Sequence, residues 1–71
     1  MLSDENYSYI KLLYKLSNTL SYVKNHAIPD AEKAGHELSM QMYEEMQHDL
    51  EQNIEKVRSA IEGLSKEDKF R

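Results

Sequence analysis

Between His36 and His48 the chain reads HELSMQMYEEMQH. Methionine and histidine at this density are the ligand types that hold a soft ion such as copper(I). Glu45 and His48 also reproduce the Glu-x-x-His spacing that di-iron helix bundles place on facing helices. A third role needs no metal: methionine, unbranched and flexible, fills irregular gaps in a helical core. Successive residues of an α-helix turn by about 100°. On such a helix Met42 and Met46 align with Leu38 and Leu50, His36 and Met40 fall on one flank, and His48 points with Glu37, Glu44 and Glu55 to the polar side. The soft ligands diverge, so the expected role of Met42 and Met46 is core filling. A site made by His36, Met40 and a second chain is the sharper alternative. A di-iron shell needs carboxylates from facing helices, and residues 6–29 contain neither Asp nor Glu. No metal, cofactor or small-molecule substrate is therefore assigned.

Other catalytic chemistry finds less support. The chain has no cysteine, which removes disulfides, thiolate ligands and a thiol nucleophile together. Ser8, Ser17, Ser21, Ser39 and Ser59 are scattered along helical segments, with no strained nucleophile turn and no glycine-rich phosphate loop. The expectation is a protein that is not an enzyme.

Three surfaces have chemistry suited to binding. Lys11, Lys15, Asn18, Tyr22 and His26 recur at three- and four-residue steps, forming one stripe opposite the leucines of the first helix. Lysines for phosphates, amides for base edges and a ring for stacking make that stripe a candidate nucleic-acid face. Glu44, Glu45 and Asp49 lie in a run of acids with no base among them, a candidate face for a basic partner. Tyr7, Ile10 and Tyr14 form an apolar patch rotated away from the main seam, and with Val57, Ile61 and Leu64 they are the candidate dimer or partner interface.

The elements that must position these residues are helical. Leu2, Tyr9, Leu13, Leu16, Leu20, Val23 and Ala27 repeat with a heptad-like step, Asn6 filling the skipped position. Ser3 is the expected N-cap, with Asp4 and Glu5 in the first turn. Pro29 disfavours helical geometry at Ile28, so the reading places helix 1 over about 4–27, a turn at 28–30 and helix 2 over about 31–63, stopped by Gly63. The tail 64–71 is expected to fray or to form one further turn. The second stripe runs Leu38, Met42, Met46, Leu50, Ile54, Val57, Ile61, Leu64. Pairing outward from the turn sets Leu20 near Leu38, Tyr9 near Leu50 and Asn6 near Asn53, where two amides could fix the register. On these boundaries helix 2 overhangs helix 1 and leaves Ala60, Ile61 and Leu64 uncovered.

The expected fold is thus all-α: one two-helix antiparallel hairpin over residues 1–71, pairing with a second copy into an antiparallel four-helix bundle. Seventy-one residues bury a limited core, which favours such pairing. No apolar run is long enough to cross a bilayer, and acids stand where a secretory signal would carry bases, so a cytoplasmic location is expected. The net charge of −4 is uneven: residues 1–29 carry two acids against three lysines, residues 30–71 eleven acids against six bases. In hairpin, dimer and face chemistry this resembles the small plasmid-borne helical-hairpin dimers that bind paired RNA loops through their first helices. The resemblance is architectural and rests on the Lys11–His26 stripe. It implies an RNA-binding dimer, the second reading. The first is a non-enzymatic regulatory or adaptor protein that acts through protein–protein contacts, as a homodimer and with another protein.

Overall fold

The computed structural model describes residues 2–70, and these form two antiparallel helical rods with no strand among them. The first rod is continuous from α1 (Asp4–Tyr22) through a π-helical turn (Val23–Ala27) into α2 (Ile28–Ala34). The second is the single helix α3 (Glu37–Lys66). Ser3 caps α1, its side-chain oxygen accepting the backbone N–H of Asn6 at 3.1 Å.

Pro29 does not end the first rod. In an α-helix its ring would press on the carbonyl four residues back, and it offers no N–H. The π turn relieves this by widening the helix just before the proline: the N–H of Ile28 bonds the carbonyl of Val23, five residues back. Ile28 keeps helical angles, φ −65° and ψ −50°, despite the bias of a residue that precedes proline. The expected turn at 28–30 is therefore replaced by one at Gly35 and His36. Gly35 has φ 70° and ψ 24°, a left-handed conformation that glycine adopts without a Cβ penalty. The N–H of His36 reaches the carbonyl of Ala31 and that of Gly35 the carbonyl of Glu32, both at 3.1 Å, the Schellman pattern that closes a helix.

The far end repeats the pattern on a different residue. Gly63 lies inside α3 and does not stop it. The helix closes beyond Lys66, where Lys69 donates to Leu64 at 2.7 Å and Asp68 to Ser65 at 3.1 Å, with Asp68 at φ 57°. Of the two expectations for 64–71, the further turn is the one that forms: the helix runs to Lys66, the backbone of Lys69 closes it, and Phe70 is half-buried. Arg71, the last residue of that segment, lies outside the described residues.

Moving the turn changes the register and the relative lengths. Rods of 4–34 and 37–66 are nearly equal, so Ala60, Ile61 and Leu64 lie alongside the first rod. The side-chain amide of Asn6, buried to 5% exposure, donates to the carbonyl of Lys69 at 2.8 Å. That bond replaces the expected partnership with Asn53, which is exposed. At the same offset Lys24 stands level with Glu51 and Ser17 with Arg58 across one inter-rod groove.

The core follows this register. Asn6, Tyr9, Leu13, Leu16, Leu20, Val23 and Ala27 face inward on the first rod, followed by Ala31. Heptad spacing alone would have chosen Asp30 after Ala27; the residue inserted by the π turn brings Ala31 inward instead, and Asp30 is exposed. On α3 the inward line is Met40, Tyr43, Gln47, Leu50, Ile54, Val57, Ile61 and Leu64, alternating steps of three and four. Among the described residues Val23, Ala31, Leu50 and Ile54 are the buried hydrophobic ones, and no side chain falls below 2% exposure. The core is thin and the shape extended. The radius of gyration is 15.6 Å, against about 11 Å for a compact chain of this length. The accessible surface is 5562 Å², against about 4,600 Å² from the usual scaling with mass.

Candidate interaction surface

Met42 and Met46 do not fill the core. The line Leu38, Met42, Met46, Leu50 advances by four residues each time, and each such step gains about 40° on a full turn. Counted back from buried Leu50, the stripe leaves the seam, and exposure rises from 38% at Met46 to 47% at Met42 and 82% at Leu38. Met40 takes the half-buried inward position. His36 is exposed next to the turn, and His48 shares a hydrogen-bond contact with Gln52 at 3.2 Å. Among the described residues no group of three or more histidines and carboxylates gathers where it could hold a metal ion.

The two rods create two lateral faces and an outer face on each rod. The groove shared by Lys24, Glu51, Glu55 and Arg58 opens on the first lateral face. By helical spacing Tyr7, Ile10 and Tyr14 belong to that face near the open end, and all three are exposed, Tyr14 to 65%. Val57, Ile61 and Leu64 do not join them. They are half-buried against the first rod, because the equal rods cover the segment that an overhang would have left bare. The expected six-residue interface is therefore two groups, one exposed and one in the seam.

The second lateral face holds the depression lined by Tyr22, Ala27, Asp30, Ala31, His36, Ser39 and Tyr43, among others. Met42 and Met46 lie on it at three- and four-residue steps from Ser39, as does Leu12, which is 50% exposed. Sequence periodicity left Leu12 unassigned. Its signal was the doubled Leu12-Leu13, where one leucine satisfies the seam and the other cannot.

Lys11, Lys15, Asn18, Tyr22 and His26 are all exposed, spread over the outer side of α1 and the edge of the second face. The Tyr22 and His26 rings stand 5.2 Å apart at 34°. Lys11 leans the other way, its Nζ 5.8 Å from the centre of the Tyr7 ring, within cation–π range. Glu44, Glu45 and Asp49 are exposed and line a shallow depression with Gln41 and His48. All of these side chains are open to solvent.

No described helix is long and apolar enough to cross a membrane. Compared with protein-family models, with curated proteins and with solved structures, the chain matches none.

Proposed function

We propose that this chain is a small non-enzymatic regulatory or adaptor protein, acting through protein–protein contacts as a dimer of hairpins that forms a four-helix bundle. One observation carries the reading: large apolar side chains stay exposed on both lateral faces of a hairpin in which four of the described hydrophobic residues are buried. Exposed apolar surface of this kind marks interaction sites in stable proteins. Methionine is favoured on surfaces that adapt to a partner. A domain this small commonly gains stability from a second subunit. In this reading the acids Glu44 and Glu45 and the exposed Tyr7–Ile10–Tyr14 patch serve a different, basic protein, and the protein works in the cytoplasm.

Static light scattering over a concentration series tests the dimer. A mass of two chains at micromolar concentration is expected; a single-chain mass at high micromolar concentration overturns it. Co-purification from the source cell, with protein and nucleic acid both examined, tests the contact. The expected outcome is a protein partner lost on reversing Glu44 and Glu45 to lysine. Recovery of RNA instead, lost with Lys11→Ala and Lys15→Ala, would replace this reading with the nucleic-acid one that the exposed stripe supports.

A further inference from the structure

We infer that the second copy docks on the face bearing Leu12, Met42 and Met46, with the two hairpins pointing in opposite directions so that Leu12 of each copy meets Met46 of the other. The inference rests on the dimeric reading above and specifies its surface and direction.

Charge separates the two faces. Near the shared groove the first face carries Glu44, Glu51, Glu55 and Glu62 against Lys24 and Arg58. Two copies of that surface repel. The second face carries Lys15 and Lys56 against Asp30 and Asp49 over the same span, a balanced set, so it can meet itself. Ala60 is among its small positions, and Glu45, at the same helical angle as Gly63, marks its outer edge.

The direction follows from where the apolar residues sit. With Asn6 level with Lys69, Leu12 stands level with Gly63 near the open end and Met46 level with Pro29 near the turn. That offset of seventeen residues along the first rod is about 25 Å. Parallel copies would set Leu12 and Met46 against their partner's polar and small positions. Antiparallel copies bring the two apolar ends together twice, by the symmetry of an isologous contact. The same alignment sets Lys15 at the level of the partner's Asp49, also twice. The area is sufficient. The broad side of the hairpin is 49 Å long and 17 Å wide, and a standard interface covers about 800 Å² per partner.

The chain has no cysteine, so an introduced thiol is the sole thiol present. Leu12→Cys and Met46→Cys proteins, mixed under mild oxidation, should form the mixed disulfide dimer in preference to either self-linked species, and Tyr14→Cys should stay unlinked. Lys15→Glu should raise the dimer dissociation constant by about three- to fivefold, the usual scale for a half-exposed pair, and adding Asp49→Lys should restore it. Helicity by circular dichroism verifies that each variant folds; these side chains are exposed in the hairpin, so it should be unchanged. Self-linked Leu12→Cys overturns the direction, and self-linked Tyr14→Cys in a dimeric protein overturns the face; the dimeric reading survives both. A single-chain mass for the unmodified protein overturns the inference and that reading together.

Discussion

From Leu50 to Leu64 the second rod presents its apolar residues to the first; from Leu38 to Met46 it keeps Met40 and Tyr43 inward and turns Leu38, Met42 and Met46 away. Both halves belong to α3, and both carry large apolar side chains at helical spacing. The difference lies in the step. Alternating threes and fours keep Leu50, Ile54, Val57, Ile61 and Leu64 on one line, whereas repeated fours rotate Met46, Met42 and Leu38 off it. Opposite the first half stand the small residues Ala27 and Ala31, which let the rods approach but bury little area. Opposite the second stand leucines and Val23. One half of the helix therefore packs large apolar side chains against the first rod, and the other packs Met40 and Tyr43 against small ones.

That contrast can be tested by unfolding in urea, followed by circular dichroism in dilute protein below the self-association range. Ile54→Ala removes a buried side chain from the packed half and should cost about 3 kcal/mol. Gly35→Ala forces a side chain into the left-handed turn on which the other half depends, at about 1–2 kcal/mol. Asn6→Ala deletes the 2.8 Å bond to Lys69 and should cost about 1 kcal/mol. Gly63→Ala should act in the opposite sense. Its Cβ would meet nothing within 4 Å and the position is mid-helix, so stability should rise by about 0.8 kcal/mol. Met42→Ala should stay within about 0.5 kcal/mol, as surface changes do. If Met42→Ala costs as much as Ile54→Ala, the two halves are not different in the way described.

The seam of α1 was legible in the sequence because its residues are apolar and its heptad is regular. Two physical effects hid the rest. Pro29 reads as a helix breaker, and nothing in local propensity announces that a π turn will absorb it and advance the phase by one residue. The glycine signal lay six residues further on, in AEKAG, a run of helix formers ended by the residue suited to a left-handed cap. The inward line of α3 was hidden differently. Extending the three–four alternation back from Leu64 reaches Gln47 and Tyr43, whereas choosing the most apolar residues reaches Met46 and Met42. Period was the better guide than hydrophobicity. The exposed stripe from Lys11 to His26 was read directly, since outward positions follow once the seam is fixed. The separation of Tyr7, Ile10 and Tyr14 from Ile61 and Leu64 was not, because it depends on where the chain turns.

The contact between Asn6 and Lys69 brings the two strand-ends of the hairpin to one pole of a body 49 Å long, with Gly35 at the other. A polypeptide entering at one of these ends leaves beside its point of entry. Spliced into a loop of a larger host, the hairpin would stand out as a spur with both attachments at its foot. A few residues joining Lys69 to Asn6 would likewise allow the chain to be reopened at His36 without lengthening any path through the fold.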